Sequence, residues 1–372
     1  MHVGILTYHH SDNYGTELQA LALEKYLNEV LGVNGELIDF RPTNSYHGRK
    51  LFITRVKRLF YYLIHIDKIL TIFINSQSLS DRSQRIISFS DKELHLSAKP
   101  CCSIDELSDA CIEFDTVLVG SDQTWNPNVS QWKAFLLDYL DAPNIRKIAY
   151  GPSLGTGAVP PEFEELYKEA LKGFSYVSCR DVSGAVFLSR LLGKPVPVVL
   201  DPTLLFDWEW WSRFSRPICQ NKPYVLTYFL GDNKNHRNVV REIARRNNYE
   251  IIAIPMSFRE MKDKGITKKY CGPGEFLSLI KNAALVCTDS FHGTIFSINF
   301  NTNFISFPKR KDKDKDSDNQ RLYDILSLFS LSDRLYDMTS VPSVQTDFSV
   351  ANKTLETMRI ESGLYLKKAI GE

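Results

Sequence analysis

The chain contains the stretch Ala284-Leu285-Val286-Cys287-Thr288-Asp289-Ser290-Phe291-His292-Gly293, in which an apolar run gives way to polar residues. A short apolar run of this kind is typical of a buried parallel strand. Ser290 or Asp289 can cap the helix that follows, and a second apolar run comes after that helix. The order strand, turn, helix, strand places His292 at a helix N-terminus, where free backbone N–H groups bind anions. Gly293 lets backbone approach a ligand closely. The alternative for this segment alone is a histidine that only fills a polar loop.

The length and composition are those of a globular protein with two domains. At 372 residues it is too long for one ordinary core. Its formal net charge of +1 would not attract nucleic acid, and no nucleic-acid-binding motif is present in the sequence. The seven cysteines form no C-x-x-C pair, which is typical of a reducing compartment and not of a disulfide framework or zinc site. The N-terminus opens on a predicted strand instead of a signal peptide, and no apolar run approaches the ~20 residues of a membrane span. We therefore expect a cytoplasmic protein that binds no nucleic acid.

Predicted strands and helices alternate along most of the chain, which indicates α/β architecture with two doubly wound parallel sheets. We place a first Rossmann-like domain at 1–207 and a linker at 208–222. A second Rossmann-like domain follows at 223–345. The last segment, 346–372, is a predicted helix that packs back across the first domain.

Residues 46–88 interrupt the first domain with eight basic and two acidic side chains interleaved with apolar ones. Two interpretations stay open. The segment is either an inserted helical hairpin whose basic side chains face water, or a basic amphipathic pair that lies on an anionic membrane surface.

Polar loops follow four predicted strands, and strand-end loops of a parallel sheet converge on a ligand crevice. The loops are Asn13-Tyr14-Gly15-Thr16, Gly120–Pro127, Ser153-Leu154-Gly155 and Thr288–Gly293. They match neither the P-loop nor the dinucleotide-binding glycine pattern, and the chain has no hydrolase or metal-ligand spacing. Arg180 ends a further apolar strand, where its guanidinium needs an anionic partner. That partner is Asp181 or Asp201, or else the carboxylate or phosphate of a ligand.

Taken in order, these motifs resemble the polysaccharide pyruvyl transferase family. The resemblance runs from about Gly4 to Arg321. The matching motifs are Asn13-Tyr14-Gly15-Thr16-Glu17-Leu18-Gln19-Ala20, Gly120-Ser121-Asp122-Gln123-Thr124-Trp125-Asn126, Ser153-Leu154-Gly155, Ser178-Cys179-Arg180-Asp181, Asp201-Pro202-Thr203 and Thr288-Asp289-Ser290-Phe291-His292-Gly293. The resemblance implies two Rossmann-like domains that face a cleft, as in the GT-B glycosyltransferase fold. It also implies transfer of a pyruvyl group from phosphoenolpyruvate to a sugar of a cell-surface glycan.

The resemblance implies specific roles for the motif residues. His292 and Arg180 are expected to contact phosphoenolpyruvate. The remaining residues expected around the substrates are Ser290, Gly293, Ser153, Ser121, Gln123, Asn126, Asn13, Tyr14, Gly15, Thr16, Gln19 and, from the charged stretch 309–321, Arg321. Ketal formation needs a general acid for the methylene carbon and a base for the attacking hydroxyl. His292 can be the acid or only bind the phosphate, and Asp122 or Asp289 can be the base or only cap a turn. We expect no metal and no cofactor, because phosphoenolpyruvate is itself the donor substrate.

Two other functions fit the same architecture. One is a GT-B-like glycosyltransferase that uses a nucleotide sugar, and the other is a non-catalytic glycan-binding protein. The partners implied by the resemblance are phosphoenolpyruvate and a glycan acceptor, which in this family is often built on a membrane lipid carrier. Contact of 46–88 with the inner face of the cell membrane would suit such an acceptor.

Overall fold

Two five-stranded parallel β-sheets, one in each half of the chain, form the framework of the molecule. The computed structural model describes residues 1–41, 66–310, 317–339 and 342–371. The strands of the first sheet are β1 His2–Leu6, β2 Asn34–Leu37, β3 Thr116–Val119, β4 Arg146–Ala149 and β5 Tyr176–Val177. Those of the second are β6 Tyr224–Tyr228, β7 Glu250–Ala253, β8 Thr267–Lys268, β9 Leu285–Thr288 and β10 Phe304–Ser306.

The strand orders are β2-β1-β3-β4-β5 and β10-β9-β6-β7-β8. The second is the Rossmann order, whereas the first is the flavodoxin-like order, and both are doubly wound. The order reverses between β1 and β3 in the first sheet and between β6 and β9 in the second. Ligands of open α/β sheets bind beyond the carboxyl ends of the strands at such reversals. The loops after these four strands are therefore where the fold itself favours a site.

Helices connect the strands and cover both faces of each sheet. They are α1 Tyr14–Lys25, α2 Ile66–Glu93, α3 Ile104–Cys111, α4 Pro161–Lys172, α5 Val182–Leu192, α6 Trp208–Trp211, α7 Lys234–Asn247, α8 Phe258–Lys262, α9 Pro273–Lys281, α10 Phe291–Asn299, α11 Gln320–Leu328 and α12 Ser349–Gly371. The C-terminal helix α12 contacts the first sheet, because Tyr365 donates to the Ala149 carbonyl at 2.8 Å and Ser362 accepts from the Leu200 amide at 2.9 Å.

The segment predicted as a linker is packed. It contains α6, and the side chain of Trp211 is fully buried with its indole N–H donating to the Thr203 carbonyl at 3.0 Å. Apolar aromatic burial explains why this stretch forms a helix that belongs to the core instead of a free connection.

Part of the basic segment 46–88 is described as helix α2, and residues 46–65 of that prediction lie outside the described residues. Among the residues that the structure does describe, no helix is both long enough and apolar enough to cross a membrane. Contact of this segment with a membrane surface stays a prediction.

One large hydrophobic cluster contains buried residues of both sheets. Tyr14, at the start of α1, stacks on Phe276 of α9 with ring centroids 4.6 Å apart and donates to the Cys271 carbonyl at 2.8 Å. Asn299 at the end of α10 donates to the Thr203 carbonyl at 3.1 Å. The two halves are thus joined by buried contacts close to the strand ends.

Candidate functional site

His292 occupies the second position of helix α10, directly after β9 at the order reversal of the second sheet. The helix begins because Ser290 caps it, with its hydroxyl accepting from the Gly293 amide at 3.3 Å. His292 is only 4% exposed. Its Nε2 lies 3.7 Å from Oδ2 of Asp201, which is longer than a hydrogen bond, and it has no hydrogen-bond partner among the described residues. A buried polar atom without a partner at a helix N-terminus is available for a ligand.

Gly15 brings the N-terminus of helix α1 against this histidine. Asn13 caps α1, because its side chain accepts from the Gly15 amide at 3.0 Å. A Cβ atom at Gly15 would lie 2.0 Å from Nδ1 of His292. Only a residue without a side chain lets the two helix N-termini approach this closely. The helices that follow the first strand of one sheet and the fourth strand of the other therefore meet at His292.

Arg180 lies beyond β5 and is paired with protein carboxylates. Its Nη1 is 2.5 Å from Asp201 and its Nη2 is 3.3 Å from Asp122, while its side chain is 1% exposed. The sequence left Asp181, Asp201 or a ligand anion as the partner of Arg180. In the structure the guanidinium contacts Asp201, and Asp181 lies further away at 3.9 Å. Contact of Arg180 with phosphoenolpyruvate stays a prediction, and it would require a substrate anion to share the guanidinium with these carboxylates.

The carboxylates around Arg180 differ in the direction in which their pKa values are shifted. Burial by itself would raise the pKa of Asp122, but Arg180, His292 and Arg321 together outweigh it and lower that pKa below the ordinary value. The pKa of Asp201 is likewise lowered, against the effect of burial, by His292 and Arg180. Burial raises the pKa of Asp181, whose carboxylate accepts from the Ser153 hydroxyl. Asp122 is thus ionised near neutral pH, which is the state that a general base requires.

The backbone of Asp122 is held in a left-handed conformation with φ of 71°. Its carboxylate accepts from the Thr16 hydroxyl at 3.0 Å, and its carbonyl accepts from the Ser153 amide at 2.8 Å. A non-glycine residue held at positive φ is uncommon and is found where surrounding contacts over-determine the geometry. Three loops of the first sheet therefore converge on this residue.

Asp289 links the two loops at the order reversal of the second sheet. Its two carboxylate oxygens accept from the amides of Leu230 at 2.6 Å and Gly231 at 2.8 Å. Burial raises the pKa of Asp289 to about 6, although these amides act in the opposite direction. Both oxygens are thus engaged with backbone, and the arrangement anchors the loop that follows β6.

The ring of Phe291 separates two guanidinium groups. Arg180 lies 4.4 Å and Arg321 5.6 Å from its centroid, so both form cation–π contacts. Beside the ring is a small recess with a cavity volume of about 20 Å³. Its lining includes Asp289 and Lys309. Sequence reasoning missed Phe291, Lys309 and Asp318, the carboxylate that Arg321 contacts at 2.6 Å. The only signal for Lys309 was its place at the head of the charged stretch.

Comparison with known proteins assigns the chain. The family model for polysaccharide pyruvyl transferase matches residues 13–308. This chain belongs to that family. No curated protein sequence matches it significantly. The structure is similar to a putative UDP-N-acetylglucosamine 2-epimerase from Listeria monocytogenes, with a TM-score of 0.53, 10% identity, and 99% of this chain and 90% of that chain covered. It is also similar to MnaA of S. aureus, solved with UDP, with a TM-score of 0.50, 11% identity, and 99% and 91% covered. These likenesses concern the fold alone and confirm the GT-B-like prediction.

Family membership makes this pyruvyl transferase an enzyme of polysaccharide pyruvylation and confirms the resemblance inferred from the motifs. Several of its motif residues are occupied by protein contacts in the structure. Tyr14 is fully buried, and Gln19 donates to Thr7, to the Tyr8 carbonyl and to the Thr16 carbonyl at 2.9–3.1 Å. Contact of these side chains with substrate stays a prediction.

Other motif residues of the pyruvyl transferase hold loops together. The Ser121 hydroxyl donates to the Gly151 carbonyl at 2.9 Å, and Asn126 donates to the Gln123 side chain at 2.6 Å. A Cβ atom at Gly293 would lie 2.6 Å from Oγ1 of Thr288, so packing inside the loop already requires glycine there. Close approach of a ligand to the backbone at Gly293 stays a prediction.

Proposed function

We propose that this enzyme transfers the pyruvyl group of phosphoenolpyruvate to a sugar of a cell-surface polysaccharide or of its lipid-linked precursor. The product is a pyruvate ketal that bridges two hydroxyls, and inorganic phosphate is released. The observation that carries the proposal is the buried, unpartnered Nε2 of His292 at a helix N-terminus, where the order reversals of both sheets meet. Family membership supports pyruvyl transfer as the reaction class.

His292 in its protonated form would donate the proton from Nε2 to the methylene carbon of phosphoenolpyruvate, leaving an oxocarbenium-like C2. A sugar hydroxyl would then add to C2 and pass its proton to the ionised carboxylate of Asp122. The C2–O bond to phosphate breaks, and the electron pair leaves with phosphate, which takes the proton held by Asp122. The second hydroxyl would then close the ketal as its proton passes to Nε2 of the neutral His292, which restores the acid. We place the base at Asp122 because the charges of Arg180 and His292 act on its carboxylate, whereas Asp289 accepts from two backbone amides of the loop after β6.

The donor carries a carboxylate and a phosphate, and the site offers cationic groups for both. His292 lies in the first turn of α10, where a helix has free backbone amides, and Lys309 and Arg321 line the recess beside Phe291. Lys309 and Arg321 share Asp318, at 3.5 Å and 2.6 Å respectively. Asp289 also lines this recess, so the lining holds two cationic and two acidic side chains, and Lys309 and Arg321 are the cationic groups we propose for the donor.

A phosphate-release assay tests the proposal. Purified enzyme is given phosphoenolpyruvate and a panel of galactose- and mannosamine-type acceptors, and the rival reaction is run with nucleotide sugars instead. We expect acceptor-dependent phosphate release, reduced at least ~10²-fold in His292→Ala, the low end for loss of a general acid. His95→Ala, at an exposed histidine, is the matched control and should keep the full rate. Turnover of a nucleotide sugar without phosphoenolpyruvate, or an unchanged rate in a folded His292→Ala, would contradict it.

The lipid-linked acceptor supports a cytoplasmic enzyme whose basic segment 46–88 touches an anionic membrane surface. Binding to anionic vesicles that weakens as salt is raised is the expected result. If the intact protein ignores such vesicles at low salt, this part of the proposal fails.

A further inference from the structure

Three metal-ligand side chains converge at the carboxyl edge of the first sheet, outside the His292 site. His9 and His10 follow β1, and Asp39 follows β2, the neighbouring strand. Nε2 of His9 lies 3.3 Å and Nε2 of His10 lies 3.2 Å from the same oxygen, Oδ1 of Asp39. The three candidate ligand atoms all lie within 4.8 Å of one another.

The backbone holds this arrangement from both sides. Asp39 accepts at its carbonyl from the Cys101 amide at 2.7 Å, and its own amide donates to the Ser97 hydroxyl at 3.0 Å. Its neighbours Ile38 and Phe40 are both buried in one hydrophobic cluster. Alternation along an extended chain therefore turns the carboxylate of Asp39 away from that cluster and toward the loop after β1.

The hydrogen bonds of His9 determine which nitrogen is free. Nδ1 of His9 lies 3.0 Å from the Thr7 carbonyl oxygen, which can only accept, so Nδ1 carries the proton. In the neutral ring Nε2 then presents a lone pair to a carboxylate oxygen, another acceptor. Two acceptors at 3.3 Å need a cation between them, either a second proton or a metal ion. A carbonyl bonded to the distal ring N–H is also the usual support of a metal-bound histidine.

We propose that His9, His10 and Asp39 bind one divalent transition-metal ion such as Zn²⁺. Bond lengths of about 2.0–2.2 Å around a tetrahedral ion place neighbouring ligand atoms roughly 3.3 Å apart. The two measured nitrogen–oxygen separations are 3.3 and 3.2 Å. Two imidazoles and one carboxylate favour zinc-like ions over Mg²⁺ or Ca²⁺, which prefer oxygen ligands. The side chain of His10 is 35% exposed, so water or an oxygen ligand can reach the site to complete the coordination.

Arg41 supplies a built-in competitor. Its Nε donates to the same Oδ1 of Asp39 at 2.7 Å, and its side chain is 47% exposed. A bound dication would repel this guanidinium, which can move outward into water. The metal site is therefore expected to bind more tightly when Arg41 is replaced by an uncharged residue of similar length.

The sequence showed no sign of this site, because its ligands are two adjacent histidines and an aspartate thirty residues away. That spacing matches no metal motif and depends on the parallel pairing of β1 with β2. The site does not rest on the transfer reaction, so its test reads metal binding directly.

The experiment uses full-length protein stripped with a chelator and then freed of it, titrated with ZnCl₂ by calorimetry and with CoCl₂ by visible absorption. We expect one ion per chain and the intense visible bands of tetrahedral Co²⁺. His10→Ala and Asp39→Asn should bind at least ~10–100-fold more weakly, the cost of losing even an outer-shell partner. Arg41→Gln should bind more tightly. His95→Ala, which removes an exposed histidine that faces only Glu24, should bind as the parent protein does.

Circular dichroism of each variant shows that it is folded. His10 is preferred to the buried His9 as the main variant because its side chain is partly exposed. The proposal is overturned by the lack of stoichiometric binding, by equal affinity in a folded His10→Ala, or by a thiolate-to-cobalt band, which would assign the ion to the free cysteines.

Discussion

The strand-end loops of the two sheets solve the problem of buried charge in different ways. In the first sheet, Arg180 is bonded to Asp122 and Asp201, so charge is balanced by opposite charge. In the second sheet, Asp289 is held by two backbone amides, and His292 keeps an Nε2 without a hydrogen bond to the described residues. The first arrangement holds its side chains in fixed positions, whereas the second leaves one polar atom for a ligand.

The difference indicates that the loops of the two sheets have different roles around His292. An ion pair that is completely buried is costly to break but contributes little when both partners are present. Its value here is positional, since it fixes Asp122 beside the histidine of the other half. The Nε2 of His292, without a hydrogen bond to the described residues, is open to a ligand or a water molecule. Each of the following variants disturbs one side of this comparison.

The largest effect is expected from Arg180→Met. The substitution keeps an unbranched apolar side chain but leaves Asp122 and Asp201 buried without their cation. Stability should fall by about 3–5 kcal/mol, measured by urea unfolding. Arg190→Met is the matched control, because Arg190 pairs with Glu164 at 3.3 Å while 69% exposed, and it should change stability by less than about 1 kcal/mol. Equal urea midpoints for the two variants would show that the buried cluster around Arg180 does not stabilise the first domain.

The next effect is expected where the two halves meet, in Gly15→Ala. The new methyl group must displace His292, so we expect a loss of about 1–3 kcal/mol in stability and of about 10²-fold in rate. The double variant Gly15→Ala/His292→Ala should recover stability but not activity, because the clash is removed together with the acid. Gly173→Ala, where a Cβ atom meets nothing closer than 3.5 Å, is the control. A strictly additive double variant would show that the two residues do not touch.

The smallest effect concerns Asp289 and the pH dependence of stability. Its pKa is raised from 3.8 to about 6, so the folded protein holds this proton more tightly than the unfolded chain does. The resulting stabilisation is fully present below pH 3.8 and is lost as pH rises through about 6. Between these values the contribution falls by at most about 1.4 kcal/mol per pH unit.

Unfolding free energies of Asp289→Asn and the parent protein, measured from pH 4 to pH 7, check this slope. The variant should depend less on pH in that window, whereas Asp105→Asn, at an exposed position, should match the parent. A parallel pH profile for Asp289→Asn would mean that the two amides keep this carboxylate ionised throughout.

Much of the framework was predictable from local patterns. The apolar run Thr116-Val117-Leu118-Val119 predicts a strand, and β3 has these bounds; the capped helix after β9 is predicted from the polar residues that precede Phe291. The run Glu36-Leu37-Ile38-Asp39-Phe40 also predicts a strand, which is only partly right, since β2 ends at Leu37 and Phe40 pairs with Cys101 as an isolated bridge. The two-residue strand β8 was missed, because so short a segment carries no period.

The sequence by itself determined the α/β class, the order of the motifs and the family, because buried parallel strands and capped helices follow from local periodicity and local hydrogen bonding. Only the tertiary structure decided which charges neutralise each other. Arg180 pairs with Asp201, 21 residues away, and Gly15 lies against His292, which belongs to the other half of the molecule. Those pairings depend on how two sheets twist and pack, and no pattern within one segment records the position of another.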